Sequence, residues 1–113
     1  MKPVLSVCFF RTDAGAEPVR AWLKDFPAID RKIIGEDIKT VQFGWPLGMP
    51  LVDHLGGGIW EVRIRLDNRI ARILFTIEGQ TMVLLHGFIK KQQKIPGSDH
   101  DLAKSRLKLL RRK

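Results

Sequence analysis

The chain has 113 residues but only one cysteine, no tyrosine, three histidines and few acidic groups for its 20 Lys and Arg. With Cys8 alone there is no disulfide framework, no CxxC redox pair and no thiolate metal site, and its place in the apolar run VLSVCFF reads as a buried core thiol. His54, His86 and His100 are scattered, without i, i+4 spacing or a neighbouring cysteine, so the pattern predicts no metal centre. A bilayer-spanning helix needs about 20 consecutive apolar residues, and no stretch supplies them. The N-terminal MKPVLSVCFFRTDAG carries one lysine, alternates into charge and lacks a cleavage site. These absences predict a cytoplasmic, soluble protein, and a chain of this length at 44% hydrophobic suits a single domain over residues 1–113.

Positive charge is abundant, and it is unevenly placed. Residues 1–58 carry seven Lys or Arg against seven Asp or Glu, whereas residues 59–113 carry thirteen against five, so the whole net charge of +8 belongs to the second half. Basic charge gathered on part of a small domain is the footprint of a polyanion binder, with a merely solvated basic surface as the plain alternative.

The stretch Ile59 to Pro96 organises the rest. In Ile59–Leu66 the apolar residues Trp60, Val62, Ile64 and Leu66 alternate with Glu61, Arg63 and Arg65, the period of a half-buried strand. Asp67-Asn68 supplies a two-residue turn through side chains that tolerate positive φ. That turn sets Arg63 opposite Arg72, Glu61 opposite Leu74, Arg65 opposite Ile70, Val62 opposite Ile73 and Trp60 opposite Phe75. A second turn around Glu78-Gly79-Gln80, if of even length, places Met82, Leu84, His86 and Phe88 on the core face, while the cationic face ends at Lys90, Lys91 and Lys94. Like charges directly opposite in a sheet are destabilising. Arg63 beside Arg72, with Glu61 the nearest acidic residue, therefore reads as a phosphate site.

Before this region, Val4–Phe10 reads as a first strand buried in the sheet. Thr12 or Asp13 caps a helix holding Val19, Trp22, Leu23 and Phe26, which stops at Pro27. Ala28–Phe43 reads as a second helix with Ile29, Ile33, Ile34, Ile38 and Val41 inward and Asp30, Glu36 and Asp37 on a solvated outer face. Residues 46–58, with six Pro or Gly, read as a mobile or tightly turned loop carrying His54. After Pro96-Gly97, Ser98 and Asp101 suggest a capping box for a last helix, with Leu102, Leu107, Leu109 and Leu110 as a partial apolar stripe among basic residues. The order β-α-α-β-β-β-α predicts an α+β layer, its mainly antiparallel sheet covered by helices on one face and leaving an open basic face.

The strings GIWEVRIR, RIARILF and LLHGFIKKQQKIP, with AWLKDFP and DRKIIGEDI before them and a helix containing Ala103 after, resemble the phage-derived RelE/HigB-like toxins over nearly the whole chain. The resemblance implies a RelE-like fold and the toxin of a type II toxin–antitoxin pair. Such a toxin cuts messenger RNA, usually on the ribosome, without metal or other cofactor, and is silenced by an antitoxin that often carries a helix-turn-helix domain. By matching position, Arg63, Arg72 and the Lys90-Lys91 pair correspond to the family's basic residues. Arg65, Arg69, Lys90, Lys94 and Glu61 would line the RNA track. The C-terminal tyrosine of some relatives is absent, so the proton-transfer role is vacant or filled differently. His54 stands where many relatives have a lysine and is the leading candidate, since imidazole takes or gives a proton near neutrality. Glu61 is either a base or a salt-bridge partner of Arg63, His86 reads as a core histidine, and His100 reads as helix-start surface. A non-catalytic binding module with the same fold is the alternative.

Overall fold

The computed structural model describes residues 2–90 and 97–112. Five strands and three helices follow in the order β1 (Ser6–Phe9), α1 (Pro18–Lys24), α2 (Ala28–Gly44), β2 (Val52–Gly56), β3 (Ile59–Arg65), β4 (Ile70–Glu78), β5 (Thr81–Ile89) and α3 (Gly97–Arg111). They build an α+β domain around one five-stranded sheet of order β1-β5-β4-β3-β2, antiparallel except where β1 runs parallel to β5.

The β3–β4 register is the one that alternation predicts. Arg63 stands opposite Arg72, Glu61 opposite Leu74, Arg65 opposite Ile70, Val62 opposite Ile73 and Trp60 opposite Phe75. The turn between them achieves this without positive φ, because no described non-glycine residue has one, and the Leu66 amide closes it by donating to the Arg69 carbonyl at 2.8 Å.

Residues 46–58 hold a strand that the Pro and Gly content conceals. Gly56, Gly57 and Gly58 all take positive φ (91°, 64° and 84°), a conformation open to glycine, and they turn β2 back along β3. The expected loop is thus a β-hairpin, and His54 lies in a strand.

The sheet is covered on both faces, which corrects the expectation of helices on one face only. On one side α1, α2 and the link between them pack Val19, Phe26, Ile34, Ile38 and Val41 against Val62, Ile64, Ala71, Ile73, Phe75, Met82 and Leu84. On the other, α3 lays Ala103 and Leu107 on Phe10, Ile59, Leu74, Val83, Leu85 and Phe88. The stripe of α3 runs through Ala103, Leu107 and Leu110, at i, i+4 and i+7, while Leu102 and Leu109 are exposed. Ser98 lies inside this helix rather than before it, and Asp99 of its first turn points to the sheet.

Other corrections have simple causes. β1 is an edge strand and exposes Val7 and Cys8, so the thiol is not a core residue. Thr12 accepts from the Ala16 amide at 3.0 Å and closes a turn, leaving Glu17 at the start of α1 without a side-chain cap. Ile29 is 71% exposed, because α2 meets the sheet only from its second turn. That helix also lacks a side-chain cap. A missing cap costs about 1 kcal/mol, less than the roughly 1.5–3 kcal/mol gained by burying each of Ile34, Ile38 and Val41.

Candidate functional site

The face that carries α3 is only partly covered by it. Strand alternation gives this face three successive rows running away from the helix. Asp53, Glu61, Leu74 and His86 form the first, Arg63, Arg72 and Phe88 the second, and Arg65, Ile70 and Lys90 the third.

The second row is not a pair of naked cations. Glu61 and Arg72 are almost completely buried, and Glu61 binds both arginines. One carboxylate oxygen accepts from Arg63 Nε at 2.6 Å, and the other lies 3.2 Å from an Arg72 terminal nitrogen. Asp53, also on this face, takes Arg63 from the other side at 3.2 Å. The repulsion expected between the arginines is therefore offset by two carboxylates of the protein itself. Glu61 is tied down and Arg72 is buried, so neither lies on an exposed track as expected. Arg63, with its side chain 31% exposed, still reaches a cleft.

That cleft, of about 370 Å³, is lined by Asp37, Pro50, Leu51, Arg63, Arg65, Ile70 and Lys90. It opens where β2 gives out: the Arg63 backbone amide donates to the Leu51 carbonyl at 2.8 Å, and Arg65 lies beyond the end of the β2 ladder. The side chains of Arg65 and Lys90 form no hydrogen bond or ion pair with any described residue, so their charges are available to a ligand. Lys91 and Lys94, expected on the same wall, lie outside the described residues.

Three sequence-predicted residues go elsewhere. His54 pairs in register with Trp60 and stacks on it at 4.8 Å, on the α1/α2 face of the sheet, so it does not meet Arg63 or Arg72. Arg69 folds back to Asp30 of α2 at 3.0 Å with its guanidinium over the Phe26 ring, and thus docks the hairpin tip rather than extending the cleft. His86 moves the other way. A bulge in the β4–β5 register between Leu74 and Phe75 shifts β5 by one residue, which turns His86 and Phe88 onto the α3 face and Gly87 onto the α1 face against Trp22.

There His86 Nε2 lies 2.6 Å from Asp99, and Arg106 donates toward Nδ1 at 3.4 Å while donating also to the Leu85 carbonyl at 2.8 Å. Both ring nitrogens are engaged, so His86 ties α3 to β5. Burial lowers the pKa of Arg106, whose guanidinium also sits over Phe10. Among the described residues, no three His, Cys, Asp or Glu side chains gather into a possible metal site.

Residues 21–108 match the family described as phage derived protein Gp49-like (DUF891). The chain belongs to this Gp49-like family. The match contains every residue that lines the cleft as well as the His86–Asp99–Arg106 tie, so the site lies within the part of the chain that defines a Gp49-like protein. No curated protein matches the chain. No helix among the described residues of this Gp49-like protein is long and apolar enough to cross a membrane.

Sequence reading missed Asp37, Asp53 and the two partners of His86, Asp99 and Arg106. Asp53 becomes visible once Gly56-Gly57-Gly58 is taken as a hairpin turn, which sets it opposite Glu61. Asp37 could have been noticed from spacing, since Ile34, Asp37, Ile38 and Val41 stand at i, i+3, i+4 and i+7.

Proposed function

We propose that this Gp49-like protein is the toxin of a type II toxin–antitoxin pair, an endoribonuclease that cuts messenger RNA on the ribosome without metal and is silenced by a helix-turn-helix antitoxin. The observation that carries the reading is the cleft, in which Arg65 and Lys90 are unpaired and Arg63 is held rigidly by Glu61 and Asp53. A guanidinium fixed by carboxylates loses little freedom when it meets a phosphate, and its planar fork matches the phosphate oxygens. The cleavage transition state gathers negative charge on phosphorus-bound oxygen, so preorganised cations there lower the barrier. The family's phage origin and the likeness of WEVRIR and LLHGFIKK to toxin sequences support the same reading.

One observation favours a second reading, a non-catalytic RNA- or protein-binding module. The Arg63–Arg72 pair is already neutralised by Glu61 and Asp53, so these arginines also serve as part of the fold.

Primer extension on a reporter messenger RNA in a purified translation system separates the two. Wild type should leave defined cuts in the translated region, and a double Arg65→Ala, Lys90→Ala variant should lose them, at a level of about 100-fold or more. Neither side chain forms a hydrogen bond or ion pair with a described residue, and their backbone pairing survives the change to Ala, unlike Arg72, whose removal would strand Glu61. Ribosome or RNA binding without any cuts by wild type would establish the binding module instead.

A further inference from the structure

Metal-free cleavage of RNA needs a group that takes the proton of the ribose 2′-OH, and most of the candidates are already committed. Glu61 is buried between two arginines, Asp53 is bound to Arg63, His54 lies on the opposite face of the sheet, and both nitrogens of His86 are engaged by Asp99 and Arg106. One carboxylate in the cleft is uncommitted. Asp37 lines it together with Arg63, Arg65 and Lys90, and its carboxylate forms no hydrogen bond or ion pair with any described residue.

We propose that Asp37 is the general base of the RNA-cleaving cleft, a catalytic residue whose role rests on the nuclease reading above. Its position follows from helix geometry. Ile34, Ile38 and Val41 anchor α2 on the sheet, and Asp37, within the same stripe, is carried toward the end of the sheet where β2 stops and the cleft begins.

The chemistry balances. The 2′-OH gives its proton to the Asp37 carboxylate as its oxygen bonds to phosphorus, and the P–O5′ bond breaks to leave a 2′,3′-cyclic phosphate. The departing 5′-oxygen takes a proton from water, and the hydroxide so formed is neutralised by the proton that Asp37 returns to solvent. Arg63, Arg65 and Lys90 face the charge that builds on the phosphate oxygens.

Burial raises the Asp37 pKa from its ordinary value, and the charge of Glu36 raises it further, which makes the carboxylate a better proton acceptor. The same shift predicts how the fold responds to substitution. A raised pKa means that the folded chain holds this proton more tightly than the unfolded chain, so the group's contribution to stability is full below its unfolded pKa and lost as pH rises through the folded one. A neutral Asn at position 37 therefore leaves the melting temperature at pH 7 unchanged or slightly higher.

The test compares wild type, Asp37→Asn and Asp37→Glu in single-turnover cleavage of a reporter messenger RNA on purified ribosomes, with ribosome binding measured in parallel. Asp37→Asn should cut about 100-fold to 10,000-fold more slowly while binding as wild type does, and Asp37→Glu should recover part of the rate. An Asp37→Asn protein that cuts within about threefold of wild type, or that loses binding together with cutting, overturns the role of Asp37 and leaves the nuclease reading standing. A wild type that binds and makes no cuts removes the nuclease reading, and the role of Asp37 with it.

Discussion

Glu61 illustrates how one residue can look functional in sequence and prove structural in place. It is fully buried, and it neutralises Arg72, which is buried with it, as well as Arg63, which is not. Removing one partner of a buried ion pair leaves an uncompensated charge, at a cost of about 3–5 kcal/mol. Glu61→Ala should therefore shift the urea midpoint sharply downward. Asp53→Ala should lower the unfolding free energy by no more than about 1 kcal/mol, because both members of the Asp53–Arg63 pair are about a third exposed and screened by solvent. Comparable losses in the two variants would show that Glu61 is not the keystone of the cluster. Cys8 shows the reverse misreading. An apolar run suggested a core thiol, but the run is an edge strand and its Val7 and Cys8 face outward, although partial burial and the nearby Glu17 still raise the thiol pKa.

Among the elements, β5 holds the residue that decides the geometry. Its first half follows simple alternation, with Met82 and Leu84 toward α1 and α2, and the bulge then exchanges the two faces for His86, Gly87 and Phe88. Gly87 makes the exchange possible, because a Cβ there would stand 2.4 Å from the Trp22 ring. Overpacking of this kind costs about 1–3 kcal/mol, so Gly87→Ala should lower the melting temperature, and a second change of Trp22 to Leu should recover part of the loss. Full stability in Gly87→Ala would mean that α1 can move away freely. The β3–β4 hairpin was legible because the apolar–polar alternation of β3 and a two-residue turn leave only one register that keeps Val62, Ile64 and Ile73 on one face. The bulge was not legible, since a one-residue slip satisfies hydrophobic patterning equally well when both faces of the strand are buried. For the same reason the open face was overestimated. The sparse stripe of α3 hid a helix that needs only Ala103, Leu107 and Leu110 to dock. The arginines of the site could be read from the sequence, whereas their carboxylate partners came from β2, which Pro and Gly had disguised as loop.

For the molecule as a whole, the surplus positive charge is displaced from where the sequence put it. Arg63, Arg69 and Arg72 are matched by acidic groups. Lys104, Lys108 and Arg112, by contrast, line a groove of about 690 Å³ along α3 beside Gly57 and have no ion-pair partner among the described residues. Each phosphate contact on a single strand contributes about 0.7 to the slope of log affinity against log salt. A Lys104→Ala, Lys108→Ala protein should therefore bind ribosomal or messenger RNA with a slope shallower by about 1.4 if both lysines meet phosphate, as fluorescence anisotropy across a salt series would reveal. An unchanged slope would leave α3's charge to solvation alone.

The parallel pairing of β1 with β5 joins Ser6 to Thr81, nearly the full length of the sheet-forming chain apart. During synthesis β1 therefore leaves the ribosome well before its partner. At 5–20 residues per second the interval is on the order of ten seconds, during which Val4, Val7 and Phe9 have no sheet to join. The hairpins of β2 to β5 close locally as they emerge, and β1 docks after them. The nascent chain thus remains an incomplete sheet until β5 has emerged, and the cleft assembled from α2, β3 and Lys90 closes only as that strand does.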